Sequence, residues 1–266
     1  MPELPEVETV AVELRSLVTG KVIETVRPFW EKSFQNMSFQ PLTGQRIKSI
    51  GRKGKYLIFR LSNTFLIIHL RMTGQLVYQN DTNNLSENHL RVKIHFDDGS
   101  SLNFKDTRKF GRIYHVDHDE SFLENVGRDA LDPKMDMKIF KNLLSLSRMS
   151  IKAFLLSQKY ISGLGNIYVD ESLFRAGIHP GTSAAAIPDR RAGELFLVLQ
   201  QVLRSAVKNM GTTISDYRDA FGNSGNNQRF LKVYGRQGLP CGVCGTPVKK
   251  IKFAGRGTHF CPMCQT

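Results

Sequence analysis

Between Lys21 and about Val116 short runs read as strand: KVIETVR, GQRIKSIG, KYLIFRL, TFLIIHL, LRVKIHF and GRIYHV. Turn signals such as DDGS at 97–100 separate them, and the short spacing predicts a sandwich or barrel-like β domain. Ahead of these runs Val7, Val10, Ala11, Leu14, Leu17 and Val18 recur at helical spacing, which predicts an amphipathic helix packed on the sheet. Beyond Pro133 the period turns helical, with segments around 140–146, 151–159, 167–176 and 189–208. Ala176-Gly177 followed by His179-Pro180 marks a helix stop. FGNSGNNQRF, residues 221–230, is rich in Gly, Asn and Ser and is expected to be a mobile loop. No internal repeat or low-complexity tract interrupts this order.

At 266 residues the chain is long enough for one large or two modest domains, each with its own core. Lys and Arg total 37 against 24 acids, a formal charge of +13, which favours a polyanionic partner: nucleic acid first, an anionic membrane surface second. The start is acidic, and no apolar run approaches the roughly 18 residues of a membrane helix, so a soluble cytoplasmic protein without a secretion signal is expected. After Asp219 there is no acid at all, while Arg229, Lys232, Arg236, Lys249, Lys250, Lys252 and Arg256 follow. That tail is the expected electrostatic footprint.

All four cysteines fall in this tail, as CGVC (Cys241, Cys244) and CPMC (Cys261, Cys264) with 16 residues between the pairs. Two C-x2-C knuckles at this spacing fit one structural tetrathiolate Zn2+ site on a β-hairpin, with two disulfides as the alternative that a reducing cytoplasm disfavours. Arg256, between the knuckles, falls where a hairpin tip would present it to a phosphate or groove. QKYISGLGNIYVDESLF, residues 158–174, holds a Gly-rich turn between two helices with Asn166 as a candidate N-cap. Backbone N–H groups at such a helix start form an anion site, and Lys159 adds charge.

The opening MPELPEVETV sets two prolines and Glu3, Glu6 and Glu8 at the head of a basic chain. Pro5 suits a first helical turn, and acids there complement the helix dipole. A chemical role is also open. Removal of Met1 exposes Pro2 as a secondary amine, and terminal amines titrate near ~7.7–8.0 against ~10.4 for lysine, so a neutral fraction exists at pH 7. Such an amine attacks an aldehyde-level carbon and yields a necessarily cationic iminium, an electron sink suited to elimination. Glu3 and Glu6 then offer acid and base groups beside it.

MPELPEVE, RKGKYLIF, IIHLRMTGQL, DTRKFGR, GLGNIYVDESLFRAGIHP, VYGR and the terminal C-x2-C-x16-C-x2-C together resemble the bacterial formamidopyrimidine-DNA glycosylases, in family order from first residue to last. The resemblance implies an α+β multidomain fold: an N-terminal helix on a β-sandwich over 1–131, a helix-two-turn-helix domain over 132–222, and a flexible loop with a four-cysteine zinc-finger hairpin over 223–266, with DNA across the cleft between the halves. It implies base-excision repair, by a bifunctional glycosylase and abasic-site lyase acting on 8-oxoguanine and formamidopyrimidines. The partner is double-stranded DNA carrying oxidised or abasic nucleotides, and the enzyme is expected to be a monomer, cytoplasmic and acting at the nucleoid.

By the same resemblance Pro2 matches the nucleophile that attacks C1′, Glu3 the acid that protonates the sugar ring oxygen, and Glu6 a second carboxylate of that pocket. Lys55 matches a lysine near the lesion and its phosphate. His69, Lys159, Asn166 and Arg256 match phosphate contacts. Met72, Arg108 and Phe110 match the side chains that refill the stack when the nucleotide is flipped out, although Met72 and Phe110 alone would read as core. The 221–230 loop falls where the family closes a flap over the extruded base. Leu4, where endonuclease VIII has Gly, favours the purine enzyme. The alternatives are an endonuclease VIII-like enzyme for oxidised pyrimidines and a zinc-finger DNA-binding protein without catalysis.

Overall fold

The computed structural model describes residues 1–80 and 88–266. Contacts group them into two compact units, Met1–Asn125 with Asn209–Asn226, and Val126–Lys208 with Asn227–Thr266. The stretch 209–226 is thus built into the β unit rather than packed with the helices that precede it in sequence.

In the first unit helix α1 (Leu4–Val18) precedes β1 (Ile23–Pro28), β2 (Phe34–Asn36), β3 (Ser49–Lys53), β4 (Tyr56–Arg60), β5 (Phe65–His69), β6 (Gly74–Gln79), β7 (Leu90–Phe96), β8 (Ser101–Asp106), β9 (Arg112–Val116) and the short α2 (Asp119–Phe122). The strands form a four-stranded sheet in the order β1-β7-β8-β6 and a five-stranded sheet in the order β2-β9-β5-β4-β3. One core takes Val7, Val10, Ala11, Leu14 and Val18 from α1, Leu57, Phe59 and Ile68 from one sheet, and Val92, Ile94 and Phe104 from the other. Val7, Val10, Leu14 and Val18 are each at most 1% exposed. A buried side chain of that size contributes about 1.5–3 kcal/mol, so packing rather than helix propensity fixes α1 and the residues just before it.

Strand β7 alternates buried and half-exposed positions, the pattern that makes it legible in sequence. The sequence pattern does not mark strands β6 and β8, and β8 escapes it because it buries polar side chains. Ser101 and Asn103 are 3% and 2% exposed, and Asn103 Nδ2 bonds Gln79 Oε1 and Ser101 Oγ, both at 3.3 Å. GQRIKSIG becomes strand only from Ser49 onward. The three-residue β2 runs parallel to β9 and is too short to carry a period.

The second unit contains β10 (Arg128–Asp129), α3 (Met137–Ser145), α4 (Ile151–Leu156), β11 (Ile161–Ser162), α5 (Asn166–Arg175), α6 (Asp189–Lys208), a 3-10 turn (Asn227–Phe230) and the hairpin β12 (Lys249–Phe253) and β13 (Arg256–Phe260). Asp136 caps α3 by accepting the Ile139 N–H at 2.7 Å, and Ser150 caps α4 through Ala153 N–H at 3.4 Å. The expected stop after α5 is present: Gly177 takes φ 66°, and the Ile178 N–H reaches back to Leu173 O at 2.9 Å. Asn166 is not the N-cap expected of it. Gly165 holds that position, and the Asn166 side chain is turned to the hairpin, where Nδ2 donates to Gly257 O at 2.8 Å.

Candidate active site and nucleic-acid interface

Pro2 is buried, and Glu3 and Glu6 are 2% and 0% exposed at the head of α1. Glu6 Oε2 accepts the Glu3 N–H at 2.8 Å, which fixes the backbone beside Pro2. Its Oε1 accepts the Thr212 N–H at 2.6 Å, and the Tyr217 hydroxyl donates to the Glu6 carbonyl at 3.5 Å. Gly211 has φ 76°, and a Cβ there would stand 2.9 Å from both Cγ and Oε1 of Glu6, so only glycine fits. Burial, reinforced by the Glu6 charge, drives the Tyr217 phenol pKa upward, so it remains a neutral donor. Both Glu6 oxygens are thus engaged by backbone amides. The arrangement braces the N-terminal residues against the 209–226 segment.

The third acid of the opening has another task. Glu8 Oε2 lies 2.6 Å from Arg52 Nε, and Arg52 Nη1 donates to Gly54 O at 2.9 Å. Helix α1 is thereby tied to the β3–β4 turn that carries Lys55, itself 8% exposed. His69 ends β5, with Tyr56 edge-on at 4.5 Å between ring centroids. The Arg71 N–H donates to its Nδ1 at 2.9 Å, which puts the ring proton on Nε2. Burial, then the charges of Arg71 and Lys55, lower the His69 pKa to about 3.

His69 therefore presents a neutral imidazole with its proton on Nε2. Its NMR signals are expected to show no titration between pH 8 and about 5. As pH falls below the ordinary value of 6.5 towards about 3, the unfolded chain takes up a proton that the folded one excludes, so the native state loses stability over that window. His69→Gln should remove this component from the pH dependence of thermal unfolding. An imidazole that titrates near 6.5 in the folded protein contradicts the assignment.

Met72 is half-buried in the turn between β5 and β6, whereas Arg108 is exposed and Phe110 is 47% exposed. The Arg108 guanidinium lies over the Phe110 ring at 5.0 Å. An exposed phenylalanine held by a cation, rather than sunk in the core, is available to another surface.

In the second unit Lys159 and Arg256 are exposed. Arg256 follows a two-residue turn in which Ala254 and Gly255 both have positive φ, 49° and 71°, so it stands at the hairpin tip as expected. Gln158 shapes the Gly-rich turn before α5, accepting the Gly163 N–H at 3.0 Å and donating to Leu164 O at 2.6 Å. Asn166 Oδ1 is buried with no hydrogen-bond partner among the described residues.

The sulfurs of Cys241, Cys244, Cys261 and Cys264 all lie within 4.8 Å of one another, with Cys241–Cys264 at 3.8 Å and Cys244–Cys261 at 3.4 Å. None is disulfide-bonded. Four sulfurs about 2.3 Å from a central zinc stand roughly 3.8 Å apart, so the cluster fits a tetrahedral metal site.

Three family models match in succession: the formamidopyrimidine-DNA glycosylase N-terminal domain over residues 1–113, its H2TH domain over 126–218, and a zinc finger found in FPG and IleRS over 238–266. The chain belongs to the formamidopyrimidine-DNA glycosylase family. It is 42% identical to the formamidopyrimidine-DNA glycosylase of Enterococcus faecalis over 273 residues, covering 100% of this chain and 97% of the relative. Two solved structures of the Lactococcus lactis glycosylase superpose over 99% of both chains. One, a point mutant with DNA containing Fapy-dG, has a TM-score of 0.91 at 36% identity. The other, with DNA containing an abasic site, has 0.89 at 37%. Among the described residues no helix is long and apolar enough to cross a membrane.

Within this glycosylase fold two acids in VDES hold the C-terminal segment. Lys152 and Asp170 have fully buried side chains 2.6 Å apart, and Asp170 Oδ2 accepts the His259 N–H at 2.8 Å, locking β13 to α5. Removing either charge strands the other, a loss of about 3–5 kcal/mol. Glu171 accepts three consecutive N–H groups, from Lys232, Val233 and Tyr234, each at 2.9 Å. The sequence alone assigns neither acid a role. Their one signal is that they stand side by side in an otherwise largely apolar helix.

Proposed function

We propose that the protein removes oxidised purines, 8-oxoguanine and formamidopyrimidines, from double-stranded DNA and then cuts the abasic strand, through a covalent intermediate on Pro2. What carries this reading is the buried Pro2-Glu3 pair, set at the head of a core-anchored helix and braced by Glu6. With Met1 removed, the proline nitrogen attacks C1′, Glu3 protonates the sugar ring oxygen as the ring opens, and the base departs. The iminium then accepts the electrons released as the C2′ proton leaves and the 3′ phosphate is expelled, with the 5′ phosphate following. No external oxidant or reductant is needed. Glu6 acts as a brace rather than a proton carrier, since both its oxygens are engaged by amides. Relatives of this fold have been solved with Fapy-dG DNA and with abasic-site DNA, the substrates of the two half-reactions.

Lys55 and His69 hold phosphate beside the lesion, and Met72, Arg108 and Phe110 enter the stack, offsetting the few kcal/mol that flipping costs. Lys159, Asn166 and Arg256 bind further phosphates, Asn166 through the Nδ2 hydrogen that Gly257 O does not take. Four thiolates suit Zn2+, one ion, with a structural role. Bound there, zinc supplies a crosslink and no chemistry at the sugar. The protein works as a cytoplasmic monomer at the nucleoid.

Incubation with an 8-oxoguanine duplex and borohydride is expected to give a covalent protein–DNA adduct. Faster excision from a thymine glycol duplex would point to the endonuclease VIII-like alternative, and tight binding with no adduct to a non-catalytic binder. Cys244→Ser, verified metal-free, should weaken duplex binding at least about tenfold at fixed salt, with the unfolding of the first unit unchanged. Normal affinity in that protein contradicts the structural role of the metal in DNA engagement.

A further inference from the structure

Asp106 ends β8, is 1% exposed, and joins three turns of the first unit. Its Oδ1 accepts the Thr73 hydroxyl and the Arg108 N–H, the latter at 3.1 Å, and its Oδ2 accepts the Gly111 N–H at 2.7 Å. The Arg108 N–H also lies 3.1 Å from Thr73 Oγ1. Through its backbone, Asp106 donates to His89 O at 2.9 Å and accepts Arg91 Nε at 2.8 Å. The turn bearing Met72, the turn bearing His89 and the turn bearing Arg108 and Phe110 therefore converge on one residue.

Each of these turns holds one non-glycine residue in the left-handed region: Arg71 at φ 56°, His89 at 64° and Lys109 at 60°. Such conformations are unfavourable for residues with a Cβ and persist only where neighbouring structure over-determines them. All three residues are basic or imidazole-bearing, and all are exposed. The packing beneath them is tight as well, since a Cβ at Gly111 would stand 3.2 Å from Asp106 Oδ2 and 3.3 Å from Leu70 O. Strained tips on a buried common anchor are the form expected of a surface shaped in advance for a ligand.

We propose that Asp106 is the positioning residue of the stack-entering side chains: it sets Met72, Arg108 and Phe110 in register before DNA arrives, so that their entry requires no loop ordering. The inference rests on the functional reading above. Binding that must first order its loops loses affinity and rate to that ordering, and a preformed wedge avoids the loss. A carboxylate suits the task because every side-chain partner is a donor. Asparagine, equal in size, would turn an NH2 towards one of them.

The test compares single-turnover rates of the full chain, wild type against Asp106→Asn and Thr73→Val, on two substrates. The first is an 8-oxoguanine duplex, which must be unstacked. The second is an abasic site in a single strand, which has no partner base and no stack to refill. Both variants are expected to lose about 10- to 100-fold on the duplex, the size of one charge-assisted hydrogen bond, with cleavage of the single strand close to wild type. Thr73→Ser keeps the hydroxyl and should restore the duplex rate. A 2-aminopurine next to the lesion should report slower unstacking in the two impaired variants alone. Equal losses on both substrates, or wild-type unstacking by both variants, would overturn the inference while leaving an active wild type and the functional reading intact. A wild type inert on both substrates would overturn the reading, and this inference with it.

Discussion

Protein that retains Met1, or any N-terminal tag, is expected to give no borohydride adduct and to carry out neither strand-cleaving elimination. An acylated proline nitrogen is an amide whose lone pair is delocalised into the carbonyl, so it neither attacks C1′ nor forms an iminium. Pro2 is buried while Met1 is 48% exposed, so an added residue need not disturb the fold that supports the site. Duplex binding through Lys159, Asn166 and Arg256 should therefore persist in the inactive protein. A tag beyond Thr266 should be far less harmful to the chemistry. The comparison needs intact-mass-verified protein starting at Met1 and at Pro2, on one duplex at one salt concentration, because phosphate binding is salt-dependent. Full lyase activity from the Met1 form would transfer the covalent step to another amine, with Lys55 the first candidate.

Glu3→Gln is expected to separate the two activities. An intact lesion requires the sugar ring to open, and a proton on its oxygen makes that possible. A ready-made abasic site already offers an aldehyde to Pro2. Excision of 8-oxoguanine should fall about 10²- to 10⁴-fold, the range typical of an acid-base group, while cleavage at abasic sites falls much less. Glu3 is 2% exposed, so thermal unfolding of the variant should accompany the kinetics to register any loss of packing. Equal losses on both substrates would show that Glu3 is not chiefly the ring-opening acid.

The three glutamates of the opening show how far sequence reaches. Their clustering fits a helix start as well as a chemical role, and the partners that divide the work among them lie far along the chain. Glu6 is engaged by Thr212 and Glu8 by Arg52, and neither pairing leaves a local pattern. Helix α1 and strand β7 are legible because each buries one face at the period of its backbone, whereas β8 buries Ser101 and Asn103 and so reads as polar. The knuckles are legible because four thiols at fixed spacing leave few alternatives, and the structure gathers their sulfurs.

Asn166 marks the opposite limit. Asparagine before a helical run ordinarily reads as a cap, yet here a distant carbonyl, Gly257 O, takes the side chain. The 221–230 stretch reads as a loop by composition alone, but its end forms a 3-10 turn with Asn227 only 6% exposed. Just before it, Asp219 Oδ1 accepts the N–H groups of Phe221 and Asn223 at 3.0 and 2.7 Å. Asp106 sits openly in DTRKFGR, but a hub among three turns becomes visible only when the turns are brought together.

The most direct measurement of the central claim is the site of the covalent bond. Wild-type protein beginning at Pro2 is trapped with borohydride on an 8-oxoguanine duplex, digested, and its DNA-linked peptide sequenced by mass spectrometry. The adduct is expected on the N-terminal peptide, at the Pro2 nitrogen, with the reduced sugar attached through C1′. A bond to the peptide containing Lys55, or no bond to any peptide while the strand is still cut, would contradict it.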